Sequence, residues 1–200
     1  MWLSYLWLAL GWIIYGAIHS ILASTACKGW FERKSAFIFR HYRILYIIIA
    51  LVSLLMMGIL FWQTPHFLLW TKTSIAQITG IFFIICGSVI MGIISRKYFS
   101  TVKNKHDLMY DNAIPVLFKK GLHGFVRHPL YLGTFLLIWG LFLIFPYGSV
   151  LVTNVIITLY TILGIGYEEK KLLLVFGEKY ARYKQEVPML LPKLRKTGLK

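Results

Sequence analysis

The sequence predicts an all-α integral membrane protein. It is expected to be a single helical bundle of about five transmembrane helices, the last two a tight hairpin, with a C-terminal amphipathic cytoplasmic helix. Three observations lead there. Of 200 residues, 58% are hydrophobic and 14% charged, a balance of membrane chains rather than soluble domains. Apolar runs recur at lengths near the 20 or so residues that a bilayer span requires. The basic residues also alternate in density between successive connections. A formal net charge of +15 would suggest nucleic acid in a soluble protein. In so apolar a chain it points to an anionic membrane face, and no nucleic-acid partner is expected.

The apolar stretches run from Trp2 to Ala26, Ile44 to Trp62, Ile75 to Ile94, Leu130 to Phe145 and Ser149 to Gly166. The fourth is short and is joined to the fifth only by Pro146-Tyr147-Gly148, which predicts a hairpin that stops short of the far face. The first connection carries five Lys or Arg, the second only Lys72, the third seven, the hairpin turn none and the tail nine. By the positive-inside rule the N-terminus is expected outside, and the third connection and the tail in the cytoplasm, in keeping with a bacterial inner membrane. Met1-Trp2-Leu3 lacks a basic n-region, so the first span is not expected to be a cleaved signal peptide.

In the tail, Glu169, Leu172, Phe176, Tyr180, Tyr183 and Val187 recur at intervals of three and four, the pattern of one helix face. Lysines and Arg182 fall mostly elsewhere, and Pro188 and Pro192 end the run. Such a helix is expected on the cytoplasmic membrane surface or folded over the spans.

The chemistry concentrates in "GLHGFVRHPLYLG", residues 121–133. Pro129 suits the first turn of a helix, because its missing N–H has no partner there in any case. His128, preceding a proline, is excluded from helical geometry. The fourth span therefore begins behind Arg127 and His128, although a helix start disfavours cations by about a few tenths of a kcal/mol. At the other end of the hairpin, Glu168 and Glu169 lie near a helix C-terminus, disfavoured for the mirrored reason. A short hairpin returns both ends to one membrane face. Two readings follow: a structural salt bridge, or a site for a ligand carrying both signs of charge.

"GLHGFVRHPLYLG", followed by "YEEKKLLLVFGEKYARYKQEVPMLLP", resembles the membrane methyltransferases grouped around isoprenylcysteine carboxyl methyltransferase. The match covers roughly residues 115 to 192. Phospholipid methyltransferases look similar in a weaker way, around the tyrosine-Glu-Glu corner. "HSILAS" and "FRHYRILY" in the first 70 residues resemble the bacterial branch that includes methanethiol methyltransferase and NnrU-like proteins. Three N-terminal spans in residues 1–94 thus precede residues 95–200, which the resemblance implies form the cofactor-binding part of a single membrane domain. It implies S-adenosylmethionine bound between hairpin and tail, and methyl transfer to a lipophilic or small acceptor: a carboxylate, thiol or amine. Leu117 and Gly121 would line the cofactor pocket. Arg127, His128, Tyr131, Glu168 and Glu169 would make its polar contacts, with Arg127 and Glu169 acting in the reaction. Where family members often read glycine-proline-tyrosine, this chain has Gly121-Leu122-His123. His123 thus joins the cofactor-binding candidates as a titratable group, either a hydrogen-bonded pocket histidine or a general base.

Two rival classes remain open at this level. Membrane reductases of the sterol-reductase type share a similar RHPxY and bind NADPH, but this chain has Leu130 and Thr134 where they tend to show asparagine and an acidic residue. A non-enzymatic membrane factor could retain the fold without the chemistry. His106, Asp107 and Asp111 show no ligand spacing, so no metal is assigned. His19 and Ser20, inside the first span, are expected to contact neighbouring helices, as are Thr153, Asn154 and Thr158 in the fifth.

Overall fold

The computed structural model describes residues 2–101 and 116–192, and the regular elements among them are helices. In chain order these are α1 (Trp2–Ala23), α2 (Thr25–Lys34), α3 (Ala36–Gln63), α4 (Ser74–Thr101), a 3-10 turn (Gly121–Gly124), α5 (Pro129–Ile144), α6 (Gly148–Phe176) and α7 (Glu178–Glu186). Long apolar segments of α1, α3, α4 and α6 are each able to cross a membrane. The 16 residues of α5 rise only about 24 Å, less than a hydrocarbon core of about 30 Å. The membrane-bundle class expected from hydropathy stands. Lys103, Lys105, His106, Asp107 and Asp111 of the third connection lie outside the described residues.

Two boundaries differ from the sequence reading. The first span ends at Ala23 rather than Ala26, because Ser24 is extended and starts a new helix. Its hydroxyl accepts the Cys27 N–H at 3.1 Å, a serine N-cap. Most of the first connection is therefore helical, as α2 and the early turns of α3. In the tail, the three-and-four pattern does not lie on one continuous helix. α6 runs on to Phe176, Gly177 takes φ +50°, and α7 starts afresh. Glycine reaches positive φ without the steric cost a side chain would bring.

The chain divides into two compact units. One comprises residues 2–72 and 145–160. The other comprises residues 73–101, 116–144 and 161–192, so that α6 contributes to both.

In the first unit α1 packs on α3 at Gly11, where an added Cβ would come within 2.9 Å of Leu60 and Met57 side chains. Polar side chains inside the apolar helices find partners, as they must where no water competes. Trp12 Nε1 donates to Thr153 Oγ1 at 3.0 Å, Ser20 and Tyr160 hydroxyls meet at 3.0 Å, and the Tyr46 hydroxyl lies 2.9 Å from His19 Nε2. At one end of this unit the chain before α4 pairs with the turn before α6. Leu69 N–H donates to Pro146 O at 2.8 Å and Gly148 N–H to Phe67 O at 2.9 Å. Beside that pairing His66 Nδ1 lies 2.7 Å from the buried Ser149 hydroxyl. Lys72 sits 5.3 Å from the ring centres of both Phe145 and Tyr147, satisfying its charge on aromatic faces.

In the second unit α4 and α5 approach at two pairs of glycines. A Cβ on Gly87 would meet Gly133 O at 2.6 Å, and one on Gly80 would meet Gly140 O at 2.7 Å. Each pair is seven residues from the next, two helical turns, so both lie on one line of contact. Small residues allow this backbone approach, which is how helices associate in lipid. A separate cluster is built by the tail: Tyr180, Tyr183 and Val187 are buried against Leu117, Leu172, Leu173 and Phe176.

Candidate active site

The site begins with a backbone constraint. Gly121, at φ +71°, turns the chain into the 3-10 turn that carries His123. Pro129 opens α5 and holds His128 in extended geometry, so that the N–H groups of residues 127 and 128 point away from the helix. The tail takes both: Arg127 N–H donates to Pro188 O at 2.8 Å and His128 N–H to Met189 O at 3.1 Å. The Tyr183 hydroxyl donates to His123 O at 2.6 Å. Residues 123–128 and the tail are thus stitched together by two main-chain hydrogen bonds and one neutral hydroxyl before any charge is counted.

The opposed charges meet, but Glu168 and Glu169 lie about two turns inside α6 rather than at its C-terminus as the sequence suggested, because the helix runs on to Phe176. Arg127 donates from Nε to Glu169 Oε1 at 2.8 Å, and its second terminal nitrogen lies 2.8 Å from the same oxygen. The other terminal nitrogen donates to Lys184 O at 2.9 Å and to Val187 O. Glu169 also lies 3.2 Å from His128 Nε2 and 2.8 Å from Lys184 Nζ. Its side chain is only 7% exposed, so burial opposes its charge while the surrounding donors favour it. Glu168, one residue earlier and about 100° around the helix, faces differently. It accepts from the Tyr131 hydroxyl at 3.0 Å, lies 3.8 Å from His128 Nδ1 and keeps 40% of its side chain exposed.

Beside this cluster lies a cavity of about 210 Å³. Six of the eight candidates border it: Leu117, His123, Arg127, His128, Tyr131 and Glu168. Gly121 and Glu169 are not among its lining residues. The first shapes the turn, and the second grips Arg127 from behind the wall. Tyr98, Phe118, Tyr180 and Tyr183 also line the cavity, and sequence reasoning did not single them out as site residues. For Tyr180 and Tyr183 the signal is present in the three-and-four repeat, and of its two readings, on the membrane surface or folded over the spans, their burial against Leu117 and Leu172 fits the second. Tyr98 lies in the part of α4 that extends beyond the expected span.

His123 carries the sharpest electrostatic signature. Burial, aided by Lys97 and His128, pushes its imidazole down to about 4, so it is neutral at physiological pH. Its Nδ1 is buried with no hydrogen-bond partner. Tyr183 is pushed up to about 12, chiefly by burial, and remains a hydroxyl donor.

Residues 75–179 match the family model for phospholipid methyltransferase. The chain belongs to that family. The matched span carries every sequence-identified site residue from Leu117 to Glu169. This family member is also similar to methanethiol S-methyltransferase of Pseudomonas deceptionensis, 29% identical over 92% of this chain and 71% of that protein. It is 31% identical to methanethiol S-methyltransferase 1 of Bradyrhizobium diazoefficiens, over 90% of this chain and 64% of the relative. Against methanethiol S-methyltransferase of Crocosphaera subtropica it is 40% identical, over 42% of this chain and only 32% of that protein. The chain therefore spans from about a third to about seven tenths of the length of these relatives. No solved structure gives a significant match.

Proposed function

We propose that this chain catalyses methyl transfer from S-adenosylmethionine to a small or lipophilic acceptor at the cytoplasmic face of a membrane, with a small thiol as the first candidate. One observation carries the reading. Both family motifs line a single cavity in which Glu168 offers a partly exposed carboxylate. The family match and the names of the relatives support the reaction class, and those names support the thiol.

The donor set fits such a cofactor. Glu168 suits an ammonium or a ribose diol, and His128 lies next to it. Tyr98, Phe118 and Tyr180 offer aromatic walls to a purine. When bound, the cofactor supplies an electrophilic methyl group on a sulfonium. The protein's part is then to align an acceptor with that methyl and to keep water out, which contributes mainly through positioning. We assign cofactor contacts to Leu117, Arg127, His128, Tyr131 and Glu168, with Gly121 shaping the turn beside them and Glu169 holding Arg127 in place. Within that set Arg127 and Glu169 act by positioning, because each holds the other and the tail. The basic connections support a cytoplasmic site and tail, with the N-terminus outside.

Calorimetry on the purified protein in detergent tests the reading. S-adenosylhomocysteine is expected to bind and NADPH is not. Binding of NADPH alone would move the chain to the reductase class. Binding of neither by folded protein would leave the Arg127–Glu169 corner a structural clasp.

A further inference from the structure

We propose that His123 is the acceptor-binding residue: its imidazole accepts the hydrogen bond of a small thiol and takes the thiol proton as the sulfur is methylated. This rests on the methyl-transfer reading and adds to it the group that selects the acceptor.

His123 borders the cavity and is only 7% exposed. Its Nδ1 is buried and unpartnered. A buried polar atom left so costs about 1–3 kcal/mol, and in a native fold it calls for a reason, such as a catalytic role or a group not yet present. The residue is otherwise held firmly. Its carbonyl accepts from Tyr183, and its ring centre lies 5.7 Å from that of Phe118. The fold thus fixes the ring while leaving ring hydrogen-bonding capacity unused.

The surroundings explain why the ring stays neutral. Lys97 of α4 sits 4.4 Å from the Phe118 ring centre, and His128 and Arg127 precede α5. Glu168 of α6 faces Tyr131 and His128, Tyr183 of α7 is a neutral hydroxyl, and Lys119 extends toward its ring. Burial first, and then Lys97 and His128, disfavour imidazolium, so a lone pair is open at neutral pH. The carboxylates are engaged instead, Glu169 by Arg127, His128 and Lys184 and Glu168 by Tyr131.

The step balances. The S–H bond breaks and its proton passes to the imidazole. A new bond forms between the thiol sulfur and the methyl carbon, and the donor's own C–S bond breaks with its electron pair left on the donor sulfur. The positive charge lost from the donor reappears on His123, where burial and Lys97 expel the proton to solvent and restore the base. A carboxylate acceptor has no such proton to give, so His123 favours a thiol over a carboxylate, and the relatives' names favour a thiol over an amine.

The test compares the unaltered protein with His123→Phe and His123→Gln, using S-adenosylmethionine with methanethiol between pH 6 and 9. Calorimetric binding of S-adenosylhomocysteine and the melting temperature in detergent are measured alongside. In the unaltered protein kcat/KM for the thiol is expected to be flat over that range, because neutral imidazole and neutral thiol are both available. His123→Phe should bind S-adenosylhomocysteine within about twofold and keep its melting temperature, since an unpaired polar atom is removed. Its methylation should fall by about 100-fold or more and rise about tenfold per pH unit, as only thiolate then reacts. His123→Gln, which can accept a hydrogen bond but not the proton, should keep KM and lose kcat. An unchanged rate in His123→Phe would overturn the proposal, and so would a loss of S-adenosylhomocysteine affinity matching the loss of rate, which would make His123 a cofactor contact. Failure of the unaltered protein to bind S-adenosylhomocysteine would instead overturn the methyl-transfer reading itself.

Discussion

Arg127 and Glu169 stand 42 positions apart in the chain and 2.8 Å apart in space. Each is almost fully buried, at 8% and 7% side-chain exposure. Between them they fasten the start of α5, the last third of α6 and the tail, because the same guanidinium also donates to Lys184 O and Val187 O.

Breaking a buried pair by removing one partner strands the other charge, at a cost of about 3–5 kcal/mol. Arg127→Ala is therefore expected to free the tail, so that limited proteolysis cuts after Tyr180 sooner than in the unaltered protein. S-adenosylhomocysteine affinity should drop at least about tenfold, equivalent to 1.4 kcal/mol. Arg127→Lys should rescue little, since an ammonium cannot reproduce a fork serving a carboxylate and two carbonyls. Equal protease resistance in all three proteins would show the clasp to be dispensable.

The neighbouring glutamates should separate by readout. Glu168→Gln is expected to leave the melting temperature nearly unchanged and to weaken ligand binding, because this carboxylate is partly exposed on the cavity. Glu169→Gln should lower the melting temperature, since it removes the charge that Arg127, His128 and Lys184 share. Thermal melts and calorimetry on the two proteins check both halves. The reverse pattern would assign the roles the other way round.

The α4–α5 contact predicts a sharp contrast between glycines of one helix. Gly87→Val places atoms where Gly133 O already lies within 2.6 Å of a Cβ, and should abolish stable, monodisperse protein in detergent. At Gly92, an added Cβ meets nothing within 4 Å. Gly92→Ala should be neutral or stabilising by up to about 1 kcal/mol, the difference in helix propensity.

The depressed imidazole has a pH consequence in the ligand-free protein. His123 has an ordinary value of 6.5 and about 4 in the fold. Between those limits the unfolded chain binds a proton that the folded one refuses, so folding stability falls as pH drops from about 6.5 toward 4. The shift is driven first by burial. His123→Phe should lose less melting temperature between pH 7 and pH 5 than the unaltered protein does. Identical losses would mean that the imidazole is protonated in the fold.

Much of this protein could be read from its order of residues. Hydropathy alone gives the apolar helices, because a bilayer demands runs of about 20 apolar residues whatever their partners. Pro129 sets the start of α5, because the ring's missing N–H and its effect on His128 are local. The cations at residues 127–128, at the wrong end of a helix dipole, and the carboxylates at 168–169, on the other arm of a short hairpin, marked the corner, although α6 carries those carboxylates inside the helix rather than at its end.

Other features depended on contacts distant in the chain. A three-and-four repeat cannot say whether a tyrosine faces lipid or a cavity, and only the break at Gly177 with the docking of residues 188 and 189 turns Tyr180 and Tyr183 inward. Two adjacent glutamates look alike in sequence. Their division into a gripped carboxylate and an open one follows from the turn of about 100° between them and from which neighbours that turn presents. Neighbours along the chain are enough to set the long apolar helices and the places where charge collects, but not α2 or the break at Gly177. The tertiary structure decided which of those charges are spent on each other and which polar atom, at His123, is left for something else. That outcome depends on which groups packing leaves within reach of a partner.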